Sequence, residues 1–283
     1  MGSEMCIRDR FNVRPLQGFY HCFGCGAGGD AYKFLQEMES LSFYEAVENL
    51  AAKVGYTLTY EAGAKGPDQG QKARIFEANA AAAKYFQDQL MTDAAIPGRD
   101  FLKSRGFDKS AAELFGVGFA PKGWNNLTDH LKASGFTDEE LITASLSSKG
   151  ERGLYDKFRG RLIWPIRDTS NQVIGFGARK LFDDDQGPKY LNTSETPVYH
   201  KSAVLYGIDL AKKDISKSQK VVVVEGYTDV MACHLAGVTT AVATCGTAFG
   251  DEHIRILNRM LSANVDNPAE VIFTFDPDEA GQK

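Results

Sequence analysis

Val221-Val222-Val223-Val224-Glu225-Gly226-Tyr227-Thr228-Asp229 decides the fold of this chain. Four successive valines form a β-branched run without polar alternation, which reads as a strand buried on both faces. The run stops at Glu225, and Gly226 lets the backbone turn sharply. A carboxylate at the carboxyl end of a buried parallel strand lies where open α/β sheets hold their ligands.

A second apolar run, 271–275, stops at Asp276-Pro277-Asp278. Between the two runs lie helix-like residues 229–236, a strand-like segment 239–243 and a longer helix-like segment 251–262. The order β-α-β-α-β predicts right-handed crossovers in a parallel sheet. Glu225, Asp276 and Asp278 then gather at one sheet edge. Three carboxylates there repel one another unless cations sit among them, and hard oxygen ligands suit Mg²⁺. The competing reading is a lone strand-end acid that caps the next helix; the Asp-x-Asp pair weighs against it.

The chain has 283 residues, enough for two domains or for one large domain with an appendage. No run of about 18 apolar residues is present, so no membrane span is expected. The first ten residues lack the apolar core of a secretory leader. Five scattered cysteines do not suggest a disulfide framework, which fits a reducing cytoplasm. A net charge of -5 argues weakly against nucleic-acid binding, but its distribution matters more. Between Lys157 and Lys180 six basic residues face one acid, Asp168.

Residues 1–10 have no periodicity and fit poorly with the rest of the chain, so they read as foreign sequence joined to a shortened start. Residues 11–60 begin as a small β unit in which a strand enters Cys22-Phe23-Gly24-Cys25-Gly26. Such a knuckle points two thiolates, Cys22 and Cys25, at one metal. Only two ligands of the four a zinc site needs are evident, and a redox Cys-x-x-Cys is the alternative. Asp30 is placed to cap the next helix. Residues 61–71 are glycine-rich and polar, and read as a linker. Helices are expected over 72–90, 98–106, 109–115, 126–134 and 138–144, with a strand or turn at 116–121 and no identifiable chemistry. From Tyr155 the pattern turns to strand, with apolar runs 162–166 and 173–177 joined by a hairpin-type turn at 168–171. Alternate strand residues share a face, so Arg159 and Arg161 should point the same way. Arginines on a β-surface with aromatics nearby suit a nucleic-acid backbone or a triphosphate; an ordinary solvated strand face is the alternative.

With these pieces placed, the sequence closely resembles bacterial DnaG-type DNA primases over nearly everything from Phe11 to Lys283. Tyr20-His21-Cys22-Phe23-Gly24-Cys25-Gly26 resembles the second knuckle of the family's zinc-binding domain. Phe158-Arg159-Gly160-Arg161 through Gly175-Phe176-Gly177-Ala178-Arg179 resembles the basic motif of its RNA polymerase domain, and Pro188-Lys189-Tyr190-Leu191-Asn192 with Glu195-Thr196-Pro197 its next motif. Glu225-Gly226-Tyr227-Thr228-Asp229-Val230 and Asp276-Pro277-Asp278 resemble the metal-binding motifs of the toprim fold. Each match alone is weak, whereas their order and spacing together are specific.

The resemblance implies a multidomain α+β and α/β chain. A zinc-ribbon-like β unit with helices (11–60) precedes the linker 61–71; a basic α+β subdomain (72–215) then leads into a toprim-type parallel sheet (216–283). It implies a nucleotidyltransferase that makes short RNA primers on a single-stranded DNA template from ribonucleoside triphosphates. Glu225, Asp276 and Asp278 would hold Mg²⁺ or Mn²⁺, and Cys22 and Cys25 half of a Zn²⁺ site. Arg159, Arg161, Arg167, Arg179, Lys189, Tyr190 and Lys201 would bind template, primer or triphosphate. It further implies a bacterial cytoplasmic, replisome-associated protein without membrane contact, whose full-length form meets a replicative helicase and single-strand-binding protein. The family's upstream Cys-x-x-His knuckle is replaced here by 1–10, and its further acidic motif and carboxyl-terminal domain are missing. The chain therefore reads as a fragment with little primer synthesis of its own. Two other readings stay open: another toprim enzyme, a topoisomerase or nuclease, and a non-catalytic single-stranded-DNA-binding module.

Overall fold

The computed structural model describes residues 10–24, 26–39, 46–47, 50–51, 54, 56, 69–244, 246, 248–261 and 268–275. The chain divides into two units, 1–69 and 70–283. Among the described residues no helix is long and apolar enough to cross a membrane.

In the first unit, β1 (Phe11–Arg14), β2 (Phe19–Cys22) and β3 (Gly28–Asp30) form an antiparallel sheet in that order. Gly18, at φ +70°, closes the turn between β1 and β2 by donating its amide to Arg14 O. The packing is aromatic: Tyr20 sits 5.4 Å from Phe11 and 5.2 Å from Phe34 of α1 (Ala31–Glu39). Asp30 Oδ1 accepts the Lys33 amide at 2.8 Å, the capping bond its position predicted. The expected linker 61–71 needs correction at its end. Helix α2 (Gln69–Leu90) already includes 69–71, and 61–68 lie outside the described residues.

The second unit opens with α2, whose alanines and Ile75 and Phe86 pack into a buried cluster with Phe158, Ile163 and Phe176. Short helices come next: α3 (Ile96–Ser104), α4 (Lys109–Phe115), α5 (Asn126–Ala133) and α6 (Asp138–Thr143). A four-stranded antiparallel sheet runs β4 (Gly118–Ala120), β7 (Arg161–Arg167), β8 (Val173–Lys180), β9 (Tyr190–Asn192). The hairpin of β5 (Ser147–Gly150) and β6 (Gly153–Asp156) precedes β7, where the sequence pattern predicts no strand pair. The turn between β7 and β8 lies where expected, with the Asp168 carboxylate accepting the Ser170 and Gln172 amides. Strands β7 and β8 are buried nearly throughout, which excludes a solvated strand face.

The chain continues through α7 (Ile208–Ser218), β10 (Lys220–Val224), α8 (Tyr227–Leu235), β11 (Ala241–Ala243), α9 (Asp251–Asn258) and β12 (Glu270–Phe273). β10 is central and parallel to both neighbours, with Val223 opposite Val242 on one side and Phe273 on the other. The valine run is thus an inner strand. Val221 and Val223 pack with Ile208, Ala211, Ile215 and Leu257 of α7 and α9, and Val224 packs with Val230 and Met231 of α8 on the opposite face. Helix α7 crosses the expected boundary at 215/216 and belongs by its packing to the parallel sheet.

Candidate active site and nucleic-acid interface

The chain leaves β10 through α8 to β11 on one side, then returns through α9 to β12 on the other. The carboxyl end of β10 is therefore a topological switch point, where a crevice opens between diverging connections. Glu225 occupies that end and is exposed. The Thr274 amide donates to Val223 O at 3.0 Å, so the ladder between β10 and β12 runs on to Thr274. Asp276 and Asp278 lie outside the described residues, as does Cys25. Among the described residues no group of three or more metal-ligating side chains gathers. Cys22 is half-buried at the end of β2; its carbonyl accepts the Gly26 amide at 2.8 Å and its amide donates to Ala27 O. With Gly26 at φ +76°, these bonds turn the chain back on itself after β2.

Helix α8 begins directly behind Glu225. The Asp229 carboxylate accepts the Gly226 amide at 3.1 Å, fixing the first turn. Tyr227 stacks on Trp164 at 5.3 Å and donates its hydroxyl to Asn192 Oδ1 of β9 at 2.9 Å. Its ring lies where a Cβ on Gly177 would stand, 2.1 Å away. This contact sets β9 against the first turn of α8, two residues past Glu225; the Tyr190 ring is 6.4 Å from that of Tyr227, and the Lys189 ammonium is 5.8 Å from the Tyr190 ring. With Glu195 and His200, Lys201 lines a cavity of about 630 Å³ against residues 248–253, which lie beyond β11. The Glu195 carboxylate accepts the Lys201 amide and contacts His200, which together hold it below the usual carboxylate range.

The other predicted basic residues do not form one row. Arg159 precedes β7; its guanidinium lies 4.4 Å from the Trp124 ring and donates to Asp156 O. Arg161 lines the same cleft, so the shared direction holds, but it is 3% exposed, ion-paired to Asp185 at 2.6 Å and donating to Pro188 O. It braces the 185–188 loop from within the cleft. Arg179 belongs to the other face of the sheet, 3.9 Å from the Phe101 ring. Arg167, at the far end of β7, is coupled electrostatically to half-buried Asp209, whose carboxyl is pushed up by burial.

The cleft around Arg159 encloses about 530 Å³ and is lined by Lys122, Trp124, Lys157, Arg159, Arg161 and Asp185, among others. Trp124 is 66% exposed, a large aromatic held beside an arginine, which is the pairing that stacks bases. Sequence reasoning missed both Trp124 and Lys122. The only available signal was an indole in a polar loop, Lys-Gly-Trp-Asn-Asn, where no core position calls for one.

Three family models match along the chain: a CHC2 zinc finger over residues 8–66, the N-terminal domain of the DNA primase catalytic core over 85–212, and a Toprim domain over 219–283. The crystal structure of the RNA polymerase domain of Mycobacterium tuberculosis primase is 55% identical. It superposes with a TM-score of 0.73 over 76% of this chain and 70% of that one. The chain belongs to the DNA primase family. The Streptomyces coelicolor DNA primase is 58% identical over 276 residues, 96% of this chain and 43% of the relative's length. The zinc-binding and RNA polymerase domains of Aquifex aeolicus primase are 31% identical, with a TM-score of 0.65 over 96% of this chain and 64% of that one. This primase chain thus spans less than half the length of the curated relatives it matches.

Proposed function

We propose that this chain carries part of the machinery of DNA-templated RNA primer synthesis, with Glu225 as its first metal-holding acid. The supporting observation is the placement of Glu225: exposed at the switch point of a parallel sheet, directly before the helix turn that Tyr190 approaches, with Lys201 set against the residues that follow β11. Glu225, Asp276 and Asp278 would hold Mg²⁺ or Mn²⁺, since carboxylate oxygens suit hard cations. Bound there, the cation would lower the pKa of an attacking hydroxyl and offset charge on a pyrophosphate leaving group. The chain's own groups bind and orient. Lys189 and Lys201 attract phosphate, and Tyr190 and Trp124 offer aromatic faces to bases. Cys22 and Cys25 would supply thiolates to Zn²⁺.

A relative's catalytic domain, 36% identical, is known bound to single-stranded DNA, and the M. tuberculosis domain in complex with double-stranded DNA. These support a DNA template as partner. For the whole protein the reading adds a primer, ribonucleoside triphosphates, a replicative helicase, a single-strand-binding protein and a cytoplasmic replisome setting, all supported by family membership alone.

The test is Glu225→Gln in the full-length protein. Primer synthesis falls by at least about a hundredfold while single-stranded DNA binding is retained, since an acid acting only on charge in the transition state affects turnover rather than affinity. Unchanged synthesis would remove Glu225 from the catalytic set. A loss of synthesis accounted for entirely by lost single-stranded DNA binding would favour a binding role for Glu225 over a catalytic one.

A further inference from the structure

Within the cleft beside β7, the cations are not equivalent. Lys122 pairs with Asp184 at 2.8 Å, and Arg161 with Asp185. Arg159 is spread over Trp124 and Tyr155. Lys157 has no carboxylate partner among the described residues. Its ammonium donates to two neutral hydroxyls, Ser145 Oγ at 2.7 Å and Ser194 Oγ at 2.6 Å. An ammonium has three N–H donors, so one is left over in the cleft it lines. Ser145 itself stands at φ +57°, just beyond α6, a backbone region that costs a non-glycine residue about 1 kcal/mol. A glycine would fit there without strain but could not supply the hydroxyl. A half-buried cation with a spare donor and no counter-charge is a site arranged for an anion.

We propose that the Lys157 ammonium, seated on Ser145 and Ser194, is a phosphate-binding subsite for a nucleic-acid phosphodiester or the triphosphate of an incoming nucleotide. This rests on the reading that the chain handles nucleic acid and nucleotides, and it adds a residue and a proton linkage to that reading. Burial first, and repulsion from Lys201 second, lower the Lys157 pKa to about 8. The other charges facing the cleft are Lys122, Arg159, Arg161, Asp184 and Asp185, with buried Asp156 behind them. The guanidinium groups keep their charge across the range that matters. A phosphate must meet the ammonium, so above about pH 8 binding has to take up a proton and affinity declines with rising pH.

The experiment measures the affinity of the full chain for inorganic tripolyphosphate and, separately, for single-stranded oligodeoxythymidylate between pH 7.5 and 9.5. The expected result is a weakening of about fivefold from pH 8 to 9 for at least one probe. Lys157→Arg, which keeps the charge at every pH, retains binding and abolishes the fall. Lys157→Met binds weakly at pH 7.5 and also shows no fall. A fall confined to tripolyphosphate assigns the subsite to the incoming nucleotide, and one confined to the oligonucleotide assigns it to the strand. An equal pH dependence in wild type and Lys157→Met overturns the proposal, as does failure of wild type to bind either probe. Lys157→Arg is also the folded control, checked by its circular dichroism. The Glu225→Gln result is independent of these outcomes, so the two readings can fail separately.

Discussion

Asp156 is buried between β6 and the start of α5, where its carboxylate accepts the Leu127 and Thr128 amides at 2.8 Å and the Thr128 hydroxyl at 2.6 Å. It caps from a distance a helix whose own Asn125 makes no side-chain capping bond. Asp156→Ala strands two buried amides and destabilises the protein by about 2–3 kcal/mol, measurable by urea denaturation. Glu140 behaves differently because it is half-buried and paired with a cation. Arg74 at 2.6 Å, and then the Thr137 amide, hold its pKa down at about 2 against an ordinary 4.5. The folded-state pKa is depressed, so its contribution is present above about pH 4.5 and is lost as pH falls towards 2. Glu140→Gln should flatten the acid limb of a melting-temperature profile in that window and leave the neutral side parallel to wild type. Neither partnership was legible in the sequence, because 156 meets 127–128 and 74 meets 140 only after folding. Arg161 illustrates the same limit. Its motif was readable, but its neutralisation by Asp185 depends on a loop path that no periodicity encodes.

Among the elements, the β7–β8 hairpin carries the closest fit. On the face towards α8, β7 presents Leu162, Trp164 and Ile166, while β8 presents Gly175 and Gly177 opposite Ile166 and Trp164. The small strand makes room for large rings: a Cβ at 175 would meet Thr193 and Tyr199 at 2.9 Å, and one at 177 the phenol of Tyr227. Gly177→Ala therefore forces Tyr227 off its stack. It should cost about 1–3 kcal/mol of stability as overpacking, read from the denaturation midpoint. The glycine spacing was visible as part of a motif, but its purpose was not, since the ring that fills it is 50 residues away. The parallel β-α-β-α-β order was legible in full because each apolar run keeps one period and ends on a turn residue. The β5–β6 hairpin escaped because Ser147-Ser148-Lys149-Gly150 carries no apolar alternation. The home of α7 was not legible either, because a helix's sequence shows its apolar stripe but not which sheet receives it.

Across the whole molecule, net charge is a poor guide to partners. The chain is acidic by -5, yet Lys122, Lys157, Arg159 and Arg161 meet in one cleft, and the acids beside them, Asp184 and Asp185, are paired with Lys122 and Arg161. Binding of single strands should therefore weaken steeply with salt despite the negative sum, each lost phosphate contact lowering the log–log slope by about 0.7. Lys189→Ala is expected to lower it by that single increment, measured by titrating oligonucleotide affinity against salt. A last consequence concerns how the unit 70–283 comes apart. Tyr227 is at once the first residue of α8, the filler over Gly177 and the donor to Asn192, and Tyr206 exchanges a pair of backbone hydrogen bonds with Ala243 of β11. The strand that ends at Glu225 and the basic hairpin thus share a seam rather than a hinge. Heat should find no intermediate in which one has melted and the other stands, and the unit should absorb its enthalpy in a single calorimetric peak.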